Sequence, residues 1–140
     1  YILRGEAASA DTLEQARRLG DLIGVIFQMR DDIIDIVATD GAEKPAGNDL
    51  REGKLTLPVI HAVALDPSLT NAALRVRRRE ASAEDICTLT AAAKAHGIGY
   101  ANARMETLAA EAHAIADDIC AENIATALHT YIDYVVKREK

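Results

Sequence analysis

Three aspartates and a glutamine lie on one face of an otherwise apolar segment, Gly24 to Ile36. Gln28, Asp31, Asp32 and Asp35 occupy positions i, i+3, i+4 and i+7, which share one face of an α-helix. The rest of the segment is mainly isoleucine, phenylalanine and methionine, which is too apolar for a helix that lies open to water. We therefore expect this acidic stripe (Gln28, Asp31, Asp32 and Asp35) to face a cavity inside the protein.

The carboxylates of the stripe, Asp31, Asp32 and Asp35, repel one another, and partial desolvation adds to that cost. A bound cation would resolve it, and the ligands on offer are oxygen atoms, with no histidine or cysteine among them. Such a ligand set favours Mg²⁺, Mn²⁺ or Ca²⁺ over zinc. Mg²⁺ commonly takes one or two protein carboxylates and completes its shell with water and phosphate oxygens.

A long polar loop with glycines and lysines follows the stripe, from Thr39 to Leu55. Lys44 and Lys54 offer compact positive charges for phosphate oxygens, and glycine lets the backbone approach a ligand closely. A metal-binding stripe beside such a loop is a diphosphate-binding arrangement. Each half alone is a weak signal, because a DDxxD motif is often a solvated acidic face and most Gly/Lys loops bind nothing.

Helices must position these residues, since the composition favours helices over strands. The 140-residue chain is 49% hydrophobic and 27% charged, with no tryptophan, one phenylalanine and three prolines. A first helix is predicted from Thr12 to about Ala38, and Thr56 should cap the helix that follows the loop. A later helix is predicted to open at Ser82 and to end at Gly97, and two more follow. The length predicts a single domain, residues 1–140, with an all-α fold.

The remaining composition narrows the possible partners and location. The formal net charge of -6 argues against a nucleic-acid partner. No apolar run reaches about 18 residues, so no membrane span is expected. No signal peptide is visible, and a cytoplasmic location is expected. The arginine-rich stretch Arg75–Glu80, RVRRRE, is interpreted as a solvated turn in a protein of this charge.

The sequence shows no recognisable metal or catalytic site formed by cysteine or histidine residues. Cys87 and Cys120 lie far apart without metal-ligand spacing, so reduced and mostly buried thiols are expected. The histidines are scattered and face no evident partner, which favours structural or surface roles. These are His61, His96, His113 and His129.

The stripe and the loop together resemble the second aspartate-rich region of the trans-isoprenyl diphosphate synthases. That family carries the pattern GxxFQxxDDxxD, followed by GKPxGxDLxEGKxTLP. This chain has GVIFQMRDDIIDI and then EKPAGNDLREGKLTLPVI, and it departs from the pattern at Glu43, where the family usually has glycine. The matching positions are Gly24, Phe27, Gln28, Asp31, Asp32, Asp35, Lys44, Pro45, Gly47, Asp49, Leu50, Glu52, Gly53, Lys54, Thr56, Leu57 and Pro58. The closing helices also resemble those of the family, so the resemblance covers essentially the whole chain.

The resemblance implies a helical bundle of the isoprenoid synthase type, of which this chain is the C-terminal half only. Family members are much longer, and their first aspartate-rich motif lies upstream of the region that this chain resembles. The implied enzyme is a prenyltransferase that condenses isopentenyl diphosphate with an allylic diphosphate, releases pyrophosphate, uses Mg²⁺ and forms a homodimer. With one of the two acidic motifs, this chain is expected to be inactive alone.

The resemblance also assigns roles to the residues of the stripe and the loop. Asp31 is the leading candidate metal ligand, and Asp32 and Asp35 would support it directly or through water. Lys44 would contact the diphosphate, and Lys54 would either do so or pair with an aspartate of the stripe. Gln28 would lie near the first part of the allylic chain. The implied catalytic residues are Asp31, Lys44 and Gln28.

A second hypothesis treats the chain as a non-catalytic helical subunit, or a binding domain of the same fold, that pairs with a catalytic subunit. The presence of the three aspartates and both lysines favours the enzyme, because a degenerate subunit would be free to lose them. A helical DNA-binding module is a distant third.

Overall fold

The computed structural model describes residues 10–37 and 47–139, which form helices and turns with no strand in either range. The helices are α1 (Ala10–Val37), α2 (Asn48–Arg51), α3 (Leu57–Leu65), α4 (Thr70–Arg77), α5 (Ala83–Ala92), α6 (Ile98–Ile119) and α7 (Glu122–Lys137). A 3₁₀ turn, Pro67–Leu69, leads into α4, and a π-helical turn, Ala93–Gly97, joins α5 to α6. The all-α prediction is confirmed. None of these helices is long and apolar enough to cross a membrane.

The contacts divide the chain into two compact units, and the first contains residues 10–30 and 104–139. Its core consists of aliphatic and small side chains from α1, α6 and α7 that recur three or four residues apart, as on the inner face of an amphipathic helix. These are Ala16, Leu19, Leu22, Ile26, Met29, Met105, Ala109, Ala112, Ala116, Ile119, Ala125, Ile132 and Val135.

The second unit contains residues 31–103 and has a core of its own. Its buried cluster gathers side chains from the end of α1, from α2 to α5 and from the two irregular turns. The members are Ile36, Leu50, Val59, Leu69, Ala72, Val76, Ile86, Leu89 and Ala93. The single-domain organisation over residues 1–140 stays a prediction.

Two helices begin where the sequence predicts, and one of them has the predicted capping hydrogen bonds. Ser82 precedes α5, where its Oγ accepts the Asp85 N–H at 3.1 Å and the Asp85 carboxylate accepts the Ser82 N–H at 3.1 Å. This reciprocal pair satisfies two backbone donors that the first turn would otherwise leave without partners. Thr56 precedes α3, as predicted, although its side chain makes no capping hydrogen bond.

Gly97 was predicted to end a helix, and that prediction is wrong. The backbone stays right-handed helical from α5 through the π-helical turn into α6, with φ of -61° at Ala93 and -64° at Ile98. Gly97 serves packing instead. A Cβ atom built on it would lie 2.0 Å from the carbonyl oxygen of Pro58, so α3 contacts this turn at a distance that only glycine permits.

The loop predicted from Thr39 to Leu55 contains a helix that sequence reasoning missed, α2. Gly47 precedes it with φ of 80°, in the left-handed region, and Asp49 lies in its first turn. Residues 38–46 lie outside the described residues, and Lys44 is among them.

Candidate metal and diphosphate site

The three carboxylates of the stripe occupy the last two turns of α1, within the second unit. Ile33 and Ile36 are 2% and 1% exposed on the same turns, and their burial fixes the rotation of the helix. As a result Asp31, Asp32 and Asp35 are all half-buried, between the core and the surface.

Lys54 contacts the stripe directly. Its Nζ lies 3.5 Å from Oδ1 of Asp32, and the two side chains are 49% and 13% exposed. Of the two roles expected for Lys54, contact with diphosphate or pairing with an aspartate of the stripe, the structure has the pairing. The lysine offsets part of the cost of holding Asp32 away from water, while its own exposed ammonium stays within reach of a ligand.

Asp35 ties the end of α1 to the start of α2. Its Oδ2 accepts the backbone N–H of Asp49 at 3.2 Å, and its backbone carbonyl accepts the N–H of Gly47 at 3.1 Å. The site for a Cβ on Gly47 lies 3.0 Å from Thr90 Oγ1 and 3.1 Å from Ile86 Cγ2. Glycine is therefore required here both for its left-handed φ and for the close approach of α5.

Asp49 is a fourth carboxylate of the site. It matches the DL of the family pattern, and the sequence assigns it no role. Burial raises its pKa, the neighbouring Asp35 raises it further, and the cation of Lys54 opposes the shift. Aspartates from α1 and α2 and the lysine Lys54 therefore lie together at this end of α1.

The other predicted site residues lie outside this group. Gln28 is exposed on α1 and belongs to the first unit, whereas Lys44 lies outside the described residues. Within residues 10–37 and 47–139, no three histidine, cysteine, aspartate or glutamate side chains are arranged to hold a metal ion. Oxygen donors that do not close into a cage fit Mg²⁺ only if water or phosphate oxygens complete its shell.

A second polar cluster lies in the first unit, between α6 and α7. The Nδ1 atoms of His113 and His129 are 2.5 Å apart, and their Nε2 atoms lie 3.0 Å from Asp133 and 2.6 Å from Asp117 respectively. The expectation that these histidines face no partner is wrong. The available signal was a repeated His-x-x-x-Asp spacing, which places each pair on one helical face.

The two cysteines are both free thiols, as expected, but they differ in exposure. Cys120 is buried, whereas Cys87 is exposed on α5. The expectation of mostly buried thiols is therefore right for Cys120 and wrong for Cys87.

One family model matches the part of the chain that contains the candidate site. Residues 2–93 match the family model described as polyprenyl synthetase. Solanesyl diphosphate synthase 1, chloroplastic, of Arabidopsis thaliana is 45% identical over 60 residues, which make up 42% of this chain and 15% of that protein. The chain therefore matches only a short part of this much longer relative.

Two solved structures share the fold at appreciable identity. Geranylgeranyl pyrophosphate synthase from Bacteroides thetaiotaomicron is 37% identical with a TM-score of 0.85, over 94% of this chain and 44% of that one. Polyprenyl synthase from Caulobacter crescentus, complexed with calcium and isoprenyl diphosphate, is 30% identical with a TM-score of 0.76, over 91% and 40%. This chain spans less than half the length of either structure.

Proposed function

The chain belongs to the polyprenyl synthetase family, and from that membership we propose that it supplies the second acidic motif of a polyprenyl diphosphate synthase. Such an enzyme condenses isopentenyl diphosphate with an allylic diphosphate and releases pyrophosphate. The observation that carries the proposal is the contact of Lys54 with Asp32 beside the hydrogen bond from Asp49 to Asp35. This arrangement offers metal-binding oxygens and a phosphate-binding cation in one place.

Asp31, with Asp32 and Asp35 in support, would hold the metal, whose positive charge would stabilise the departing diphosphate. Mg²⁺ is the proposed ion, and the calcium and isoprenyl diphosphate in the Caulobacter crescentus structure support the binding of a divalent cation and a prenyl diphosphate. Lys54, and Lys44 from the loop, would bind the diphosphate oxygens. Lys54 would exchange its contact with Asp32 for those oxygens, and the Asp32 carboxylate would then be available to the metal.

In the proposed reaction the allylic carbon–oxygen bond breaks, and its electron pair leaves with the diphosphate. The double bond of isopentenyl diphosphate attacks the allylic cation, and a proton is lost from the new chain. The residues of this chain bind and orient the leaving group, and Gln28 would lie near the first part of the allylic chain. Binding and orientation of this kind lower the barrier by positioning and by charge stabilisation.

We also propose that the enzyme is a homodimer and that it lies in the cytoplasm. The resemblance supports the dimer, and both cysteines are thiols, as a reducing compartment favours. The Arabidopsis thaliana relative is named as chloroplastic, so location varies within the family. Light scattering of the purified protein and cell fractionation test the two statements.

Titration calorimetry of the 140-residue chain with pyrophosphate tests the proposed site. Binding should be about tenfold tighter with Mg²⁺ than without it, because each ligand offsets the charge that opposes the other. Asp31→Asn should remove most of this gain, while Asp21→Asn, an exposed change elsewhere on α1, should leave it intact. Pyrophosphate binding of equal affinity with and without Mg²⁺ would exclude the stripe as the metal site. The same Mg²⁺-dependent gain in affinity in Asp31→Asn would exclude it as well.

A further inference from the structure

The end of α4 holds a strained residue, Arg79. Among the described residues it is the only non-glycine with positive φ, at 59°. Its N–H donates to the carbonyl of Val76 at 2.9 Å, and the N–H of Glu80 donates to the carbonyl of Arg75 at 2.8 Å. These two bonds close the helix as glycine ordinarily does at this position, without the steric cost of a side chain. The backbone alone therefore gives no reason for arginine here.

The side chain of Arg79 lies against Gly53, in the turn that follows α2. The site that a Cβ on Gly53 would occupy is 3.1 Å from Arg79 Cγ and 3.3 Å from Arg79 Nε. The carbonyl oxygen of Val76 lies 3.2 Å from the same point. Gly53 itself has φ of 81°, so its missing side chain both permits this backbone and admits the arginine.

The covered turn leads directly to the lysine of the candidate site. The N–H of Gly53 donates to Leu50 at 3.0 Å, the N–H of Lys54 donates to Asp49 at 2.9 Å, and Lys54 Nζ then reaches Asp32 at 3.5 Å. The contacts that fix the backbone of Gly53 therefore also fix the backbone position from which the Lys54 side chain extends.

An ion pair does not account for Arg79. Arg75, earlier in the same stretch, binds both carboxylate oxygens of Asp85 at 2.7 Å. Arg79 is exposed and forms no ion pair with any described residue. Its side chain instead lies against Gly53.

We propose that Arg79 is a positioning residue, whose side chain holds the Gly53 turn so that Lys54 presents its ammonium to a diphosphate. This inference rests on the proposed function and adds a residue to it. The stretch Arg75–Glu80 is then more than the solvated turn that its composition indicates, because one of its arginines acts on the site.

The test compares stability with ligand binding in the 140-residue chain. Arg79→Gly and Arg79→Asn both suit a left-handed residue, and each should raise the melting temperature by about 3 °C through relief of strain. Each should also bind pyrophosphate with Mg²⁺ about fivefold more weakly, because Lys54 loses its fixed origin. Arg78→Ala, an equal loss of charge at the neighbouring exposed position, should change neither quantity appreciably. If Arg79 served only the stability of the fold, its substitution would not weaken pyrophosphate binding while it raised the melting temperature.

The route through Lys54 is tested by combining substitutions. In a Lys54→Ala background, Arg79→Gly should weaken Mg²⁺-pyrophosphate binding no further, since the lysine that it positions is gone. Additive losses would overturn the inference, and so would undiminished binding by both Arg79 variants while the unchanged chain binds with Mg²⁺. If the unchanged chain shows no Mg²⁺-dependent binding, the proposed function fails, and this inference fails with it.

Discussion

Asp49 is a carboxyl of the candidate site whose pKa is shifted by folding. Burial and the like charge of Asp35 both raise its pKa, so the folded state holds a proton on this carboxyl more tightly than the unfolded chain does. A raised pKa on a carboxyl contributes stability at low pH that is lost as the pH rises through the raised value. At neutral pH, the ionised Asp49 carboxylate therefore lowers the stability of the folded chain.

Asp49→Asn should raise the free energy of unfolding at pH 7 by about 0.5 kcal/mol, a modest figure because solvent screens this half-buried site. The gain should vanish below the ordinary aspartate pKa of about 3.9, where the carboxyl is protonated in both states. Urea unfolding between pH 7 and pH 3.5 measures it, with Asp21→Asn as the control. A gain that persists unchanged at the acid end would show that charge is not its cause.

At the scale of helices, the contact between α3 and the π-helical turn depends on one missing side chain. Gly97→Ala would drive a Cβ into the carbonyl oxygen of Pro58, from which it would be 2.0 Å away. We expect a loss of about 3 kcal/mol or more in the free energy of unfolding, since backbone must move. Gly99→Ala is the matched control, because its Cβ would meet nothing within 4 Å, and alanine in place of a helical glycine should stabilise by roughly 0.5 kcal/mol. Equal effects of the two changes would refute the packing role of Gly97.

The contact between α6 and α7 within the first unit relies on the histidine pair. The Nε2 atoms of His113 and His129 face the carboxylates of Asp133 and Asp117, and their two Nδ1 atoms face each other, so the four side chains form one polar cluster. His129→Ala removes the partner of His113 and of Asp117 together, and should cost about 1–2 kcal/mol in the free energy of unfolding. His96→Ala, at an exposed position of the π-helical turn, should cost almost nothing. Chemical denaturation of the unchanged chain, His129→Ala and His96→Ala measures these costs. Indistinguishable denaturation midpoints would count against a stabilising role of the histidine pair.

These helices also show which features of the fold and of the candidate site can be predicted from the sequence. The acidic stripe follows from local helical spacing, so its common face could be predicted from Asp31, Asp32 and Asp35 alone. Gly97 was interpreted as a helix end because glycine commonly follows one, whereas its actual contact is with Pro58, on another helix. The partners of His113 and His129 were missed for the same reason. Contacts between residues distant in sequence depend on how the helices pack, and periodicity does not report that.

At the scale of the whole molecule, the chain spans less than half the length of the synthase structures that it matches. The proposed function assigns one acidic motif to this chain, whereas the family that its sequence resembles carries two. The 140-residue chain, given Mg²⁺, isopentenyl diphosphate and a labelled allylic diphosphate, should therefore form no longer prenyl product. A complete synthase of the same family assayed in parallel confirms that the substrates and conditions are sound. Elongation by the pure chain would show that the proposed division of the active site is wrong.

The π-helical turn makes the number of residues between Ala93 and Gly97 a packing constraint of its own, beside the requirement for glycine at position 97. Ala93, Gly97 and Ala101 are buried at intervals of four, and successive steps of four overrun an α-helical turn of about 3.6 residues. The wider turn takes up the excess and keeps the buried faces on its two sides in register. Substitution of an exposed member such as Ala95 leaves this register alone. Deletion of the same residue would rotate the start of α6 by about 100° relative to α5 and turn its buried face outward.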